Sequence, residues 1–276
     1  MTTVRVSTGF ELFYREACPP GRAGEGEPVL WIMGLGNDHR GWAYQVPAFR
    51  DRFRCITYDN RDVGRSQQAD GPYTIADMVD DAIGLLDALD VEQAHVVGFS
   101  MGGAQAQELA IRYPERVRRL VLCNTYTSRD PRGEAMFRGR VLLQERLSAE
   151  EFQRVTLPWA YSYRDYQRPG FIDKTVEAIL NDDHPQPLDA YRRQVEATLT
   201  ADTEARLGQI RAPTLLVFGD EDITTPLRFA RTLESGIPNA TLRLVEGAGH
   251  GLPWSHPADL NRLVREFLES GRPDPG

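Results

Sequence analysis

The sequence predicts an α/β fold: a mostly parallel, doubly wound sheet with helices on both faces and a helical insertion late in the chain. Three observations lead there. Short continuous apolar runs recur at 29–33, 55–58, 94–99, 120–124, 214–218 and 242–245, as expected of strands buried on both faces of a parallel sheet. Stretches with apolar residues at three- and four-residue spacing separate many of them, which argues right-handed strand–helix–strand crossovers. The interval 126–207 has helical periods but no such apolar run.

Taken in order, 4–7 and 11–14 alternate and read as a hairpin with Thr8-Gly9 at the turn, and 17–28 is a loop rich in Gly and Pro. Thr74 is placed to cap a helix whose stripe is Ile75, Val79, Ala82, Leu86 and Leu89. A second helix is expected over 104–113, stopped by Pro114; Pro257 opens a last one carrying Leu260, Leu263, Val264 and Phe267. Within the insertion Ser148 and Glu151 form a capping box, Ile172, Val176, Ile179 and Leu180 share a helical face, and so do Leu188, Tyr191 and Val195. The expected division is a core of 1–125 with 208–270, a helical cap of 126–207, and a disordered tail of 271–276.

Composition removes several function classes. The 276 residues are 41% hydrophobic and 26% charged, and no apolar run approaches the roughly 18 residues of a membrane span. No apolar stretch at the N-terminus matches the core of a secretory signal, so a cytoplasmic location is expected and no membrane partner. A net charge of −8 with scattered arginines argues against nucleic acid. Cys18, Cys55 and Cys123 are far apart and form no C-x-x-C pair, so they read as reduced thiols, with no metal site.

The chemistry centres on Gly98-Phe99-Ser100-Met101-Gly102, a G-x-S-x-G sequence between a strand and a helix. A serine on so tight a turn needs tiny residues two before and two after it, and the helix N-terminus it faces favours a developing anion. Serine needs a base, and neutral histidine suits that near pH 7. Of five histidines, His250 follows the last apolar strand, on the sheet edge that carries Ser100. His95 lies on a strand, His184 and His256 precede prolines, and His39 sits in a loop where it could line the site. The carboxylate that orients the base belongs after the preceding strand, where Asp220, Glu221 and Asp222 compete; Asp222 stands in G-x-x-D-x-x-x-P ending at Pro226. The order Ser100, Asp222, His250 follows.

With these motifs the chain from about 4 to 270 resembles the α/β-hydrolase superfamily, in the branch with a helical cap, and Asp59 to Ser66 resembles its D-x-R-x-x-G-x-S loop. The resemblance implies an oxyanion hole made by the backbone N–H groups of Leu35 and Met101. Met33-Gly34 stands where the family usually has His-Gly. That pair and the Asn60-Arg61-Asp62 run are more loosely similar to anthracycline methyl esterases and enol-lactonases. A serine esterase or lactonase is therefore expected, acting on a small molecule without metal or organic cofactor. Alternatives with the same frame are a carbon–carbon bond hydrolase, a cofactor-free perhydrolase, a cyclase or a ligand receptor. Haloalkane dehalogenation would place Asp at position 100. Trp159, Tyr161, Tyr163, Tyr166 and Phe171 crowd one stretch of the insertion; Trp159, Tyr161 and Tyr163 are the expected pocket wall, favouring bulky apolar or aromatic substrates. Arg164 and Arg168 are nearby candidates for a substrate carboxylate.

Overall fold

A computed structural model describes residues 2–21, 24–128 and 130–270. Its strands are β1 (Thr2–Arg5), β2 (Glu11–Ala17), β3 (Glu27–Ile32), β4 (Phe53–Tyr58), β5 (Ala94–Phe99), β6 (Val117–Cys123), β7 (Thr214–Gly219) and β8 (Ala240–Val245). They form one sheet in the order β1-β2-β4-β3-β5-β6-β7-β8. The β1–β2 hairpin pairs antiparallel, β2 joins β4 antiparallel, and every other neighbouring pair is parallel. The α/β-hydrolase class read from the sequence is therefore the one observed.

The helices are α1 (Val46–Phe49), α2 (Ile75–Ala88), α3 (Met101–Arg112), α4 (Pro131–Gln144), α5 (Ala149–Thr156), α6 (Tyr163–Gln167), α7 (Phe171–Leu180), α8 (Leu188–Leu199), α9 (Leu227–Gly236), α10 (Leu252–Ser255) and α11 (Pro257–Glu269). Alternation along each strand divides the core into two layers. Leu30, Ile32, Val96, Leu120, Leu122 and Phe218 face the layer packed by α2, α3 and α9. Val29, Trp31, Val97, Val121, Cys123 and Val217 face the layer packed by α1 and α11. The cap of α2 is Thr74, closed into a capping box by Asp77. Helix α3 starts at Met101, three residues before the sequence-based start, because Ser100 itself is the N-cap and the two glycines continue the first turn.

Helices α4 to α8 lie between β6 and β7. The two legs of this insertion meet at an isolated antiparallel bridge between Ser128 and Asp202. Gln107, fully buried on α3, holds both: its Nε2 donates to the Tyr126 carbonyl and its Oε1 accepts the Thr203 hydroxyl at 2.6 Å. Two small apolar clusters stabilise the inserted helices, one around Phe137, Tyr191 and Val195 and one around Leu157, Tyr161 and Val176. The expected shared face of α7 is only partly buried: Val176 is inside, while Ile179 and Leu180 are exposed. The expected tail, 271–276, lies outside the described residues. Among the described residues no helix is long and apolar enough to cross a membrane.

One buried group ties fold stability to pH. His95 on β5 is 1% exposed, and burial, aided by the Arg119 charge, lowers its pKa to about 4. The Glu27 carboxylate at 3.6 Å is too distant for a hydrogen bond and does not outweigh that burial. The folded state thus prefers neutral histidine, so its contribution is full above the unfolded value near 6.5 and falls as pH drops from there toward 4. Urea unfolding at pH 7 and pH 4.5 should show the wild type losing about 2–3 kcal/mol through this group. His95→Asn should lack that increment; an equal pH loss in both proteins would assign the acid sensitivity elsewhere.

Candidate active site

The G-x-S-x-G turn is forced into an unusual backbone shape. Ser100 has φ 56° and ψ −120°, a region that L residues avoid. A Cβ on Gly98 would strike the Gly102 carbonyl, and one on Gly102 would strike the carbonyls of Ile32 and Met33 at the end of β3. The turn is locked further by the Ser100 N–H to the Cys123 carbonyl at 3.0 Å and by the Thr125 hydroxyl to the Ser100 carbonyl at 2.6 Å.

Ser100 Oγ lies 3.0 Å from His250 Nε2, and His250 Nδ1 lies 2.7 Å from Asp222 Oδ2. An ionised carboxylate only accepts, so Nδ1 carries the ring proton and Nε2 is left to accept from the serine hydroxyl. Asp222 is enclosed by its own turn: Oδ1 accepts the N–H groups of Thr224 and Thr225, and Oδ2 accepts the Thr225 hydroxyl at 2.6 Å. Burial pushes the Asp222 carboxyl up, but the His250 ring and these hydrogen bonds outweigh it and leave it below the usual carboxylate range. Asp220 and Glu221 do other things. Asp220 accepts the Gly247 N–H at 2.6 Å, while Glu221 is exposed.

Asn124 was not singled out in the sequence. Fully buried at the end of β6, it donates from Nδ2 to the carbonyls of Gly249 and His250 and accepts the Gly219 N–H at 2.9 Å. It thereby joins the end of β7, from which the Asp222 turn departs, to the loop carrying His250. A polar residue at the carboxyl end of a central parallel strand was the available signal. Thr225 was missed likewise, although it stands in the same turn as Asp222.

Leu35 and Met101 flank the serine, since a Cβ on Gly34 would sit 3.0 Å from that of Ser100. Among the described residues neither the Leu35 nor the Met101 N–H has a protein acceptor. The Leu35 loop is held from above by Gln194 of α8, whose Oε1 accepts the Gly36 N–H at 2.8 Å. Met33 is buried against Gly41 and directs no polar group into the loop.

His39 stands apart from this centre. Its Nδ1 and backbone N–H both bond Asp59 Oδ1, at 2.6 and 2.9 Å, and its ring packs on Phe13. Asp38, His39 and Asp59 bring three metal-ligating atoms together, but Asp38 is engaged with Arg40 and the other two with each other. Asp59 to Ser66 forms a buried internal network, with Asn60 donating to the Met33 carbonyl and Asp62 paired to Arg193 of α8.

The expected pocket residues separate. Tyr163 is 74% exposed at the start of α6, because the Ser162–Asp165 capping box turns that first residue outward. Tyr161 is buried in the insertion's own core, edge-on to Phe171 and against Gly251. Trp159 is half-buried, and its carbonyl accepts the Thr224 hydroxyl at 2.6 Å. Arg164 and Arg168 are committed elsewhere: Arg164 pairs with Glu246, and Arg168 with Asp165 and the Ser255 carbonyl.

Comparison with known proteins agrees with this architecture. A family model described as the alpha/beta hydrolase fold matches residues 27–257. A protein of Caulobacter sp. (strain K31), named as a carbamate hydrolase, RutD, is 33% identical over 250 residues, 90% of this chain and 92% of its own. A hydrolase from Pseudomonas aeruginosa PA01 superposes with TM-score 0.85 at 27% identity over 98% of each chain. The enol-lactonase from Burkholderia xenovorans LB400 does so with TM-score 0.86 at 27% identity, over 98% of this chain and 100% of that one.

The Asn124 clamp yields a measurable expectation. Asn124→Ala should destabilise the protein by about 2–4 kcal/mol, since it strands a buried N–H and two carbonyls. Asn124→Asp keeps the acceptor for Gly219 but turns a carboxylate oxygen toward two carbonyls, so its deficit should grow as pH rises and the carboxyl ionises. Denaturation of both variants at pH 5 and pH 8 checks this; a pH-independent deficit in Asn124→Asp would show that the clamp does not operate as drawn.

Proposed function

The chain belongs to the α/β-hydrolase fold family, and from that premise we propose that it is a serine hydrolase that cleaves an ester or lactone of a bulky, largely apolar small molecule. The observation that carries the reading is the continuous hydrogen-bonded line from Ser100 through His250 to Asp222. In this mechanism His250 takes the Ser100 proton as Oγ attacks the substrate carbonyl. The resulting oxyanion is held by the N–H of Leu35, in the loop after β3, and by that of Met101, at the N-terminus of α3, where fixed donors favour developing negative charge. Asp222 keeps Nδ1 protonated and stabilises the imidazolium. His250 then returns the proton to the leaving alcohol, and the acyl-enzyme is hydrolysed by a water that the same histidine deprotonates. Side chains and backbone N–H groups supply each step.

Support for an apolar substrate comes from Leu35, which packs against the Phe137, Tyr191 and Val195 cluster of the insertion, so that the loop beside Ser100 meets an apolar wall. The lactone option is favoured by the enol-lactonase likeness. A second reading, hydrolysis of a carbamate, is favoured by the 33% identical relative that bears that name. It would use the same serine and the same oxyanion donors.

Steady-state turnover of matched aryl esters, lactones and aryl carbamates separates these readings, with kcat/KM for an ester or lactone expected to exceed that for the carbamate. Ser100→Ala should lower kcat by about 10⁴ or more with little loss of thermal stability. Asp222→Asn should cost about 10³ to 10⁴, and Asp220→Asn less than about tenfold, because Asp220 accepts the Gly247 N–H while His250 is bonded to Asp222. Turnover near wild type in Ser100→Ala would end the serine mechanism, and a carbamate preference would replace the ester assignment.

A further inference from the structure

Arg140, on α4, is half-buried among aromatic groups. Its Nε donates to the Tyr191 hydroxyl at 2.9 Å, and its guanidinium lies 5.2 Å from the Phe152 ring centre and 5.9 Å from that of Trp159. Among the described residues no carboxylate oxygen lies within 4.0 Å of it, and its two Nη groups have no protein acceptor. Other arginines of the insertion differ: Arg138 pairs with Glu134 and Glu196, Arg192 with Glu145 and Asp189, and Arg193 with Asp62.

The groups that hold Arg140 also border the candidate site on two sides. The Tyr191 ring comes 3.6 Å from where a Cβ on Gly36 would sit, beside the Leu35 loop. Trp159 accepts the Thr224 hydroxyl, in the turn that encloses Asp222. Arg140 therefore joins two parts of the insertion, Tyr191 beside the Leu35 loop and Trp159 beside the Asp222 turn. A partly desolvated guanidinium is costly without an anion, and aromatic faces offset only part of that cost. Its free Nη fork has the geometry that takes a carboxylate with two parallel hydrogen bonds.

We propose that Arg140 binds a carboxylate carried by the substrate, so that the preferred substrates are bulky, largely apolar esters with one free carboxylate, such as arylalkyl half-esters of dicarboxylic acids, with Arg140 holding the free acid end while Ser100 attacks the ester carbonyl. This rests on the serine-hydrolase reading above. The test compares kcat/KM for the monobenzyl esters of succinate, glutarate and adipate with that for their uncharged counterparts, benzyl butyrate, pentanoate and hexanoate. The wild type should favour the half-ester by about 10- to 100-fold at one or more lengths. In Arg140→Gln that ratio should fall at least tenfold; Arg140→Lys should retain part of it; Arg138→Gln should leave it unchanged. A wild-type preference for the neutral ester at all three lengths, or a ratio unaltered in Arg140→Gln, overturns the proposal. Should neither ester class be hydrolysed, the serine-hydrolase reading fails separately, and calorimetric binding of adipate decides the Arg140 site. Binding at least tenfold weaker in Arg140→Gln supports it, and absent or equal binding overturns it.

Discussion

Ser100 occupies a backbone conformation that costs about 1–3 kcal/mol relative to an ordinary turn, and the rest of the candidate site is arranged by what holds it there. The strain persists because three strand ends converge on it. Gly102 sits against the carbonyls of Ile32 and Met33, Gly98 sits against Gly102, and the Cys123 carbonyl and Thr125 hydroxyl anchor the serine backbone from β6. The same close approach that strains the turn also brings the Leu35 loop alongside Ser100. A side chain on either glycine would separate these segments and dismantle several features together.

From the carboxyl ends of the parallel strands the site assembles as a set of loops tied to one another. Asn124 couples the end of β7 to the His250 loop, Thr225 completes the enclosure of Asp222, and Asp220 fastens Gly247. None of these ties involves residues close together on one element except Thr225. That explains what could be read in advance. Ser100, Asp222 and His250 each follow their own apolar strand in a motif with a local mechanical reason, so strand pattern and topology suffice to place them on one sheet edge. Asn124 acts through contacts 95 or more positions away in the chain and Gln107 through one 19 and one 96 positions away, and nothing in their neighbourhoods marks them.

The insertion shows the limit more clearly. Helices α5, α7 and α8 were visible from a cap or from periodicity, but α4 and α6 were not, nor was which aromatic faced inward. Tyr163 and Tyr161 are two positions apart in a stretch of uniform composition, yet the Ser162–Asp165 cap sends one into solvent while the other closes over Gly251. Orientation there is set by a local cap and by packing across to the core, neither of which hydropathy reports. The same packing makes the insertion part of the site rather than a cover for it. Gln194 fixes Gly36, Arg193 fixes Asp62, and the carbonyls of Trp159 and Ala160 take the Thr224 hydroxyl and the Gly251 N–H. Each of the loops beside Ser100 is thus held from above as well as from below.

Arg140 acquires its meaning against this background of satisfied groups. The chain has 40 acidic and 32 basic side chains, so carboxylates are abundant, and the neighbouring arginines of the insertion find them. The Arg140 guanidinium, kept half out of water by Tyr191, Phe152 and Trp159, has no carboxylate within 4.0 Å among the described residues, and an acidic side chain placed beside it would pair with it. Such a pair would stabilise the insertion but would also occupy the Nη fork. Leaving the fork open while bracing Nε on a phenol oxygen fixes its direction without neutralising it, which is the arrangement required of a group that must remain rigid and yet receive an anion from outside.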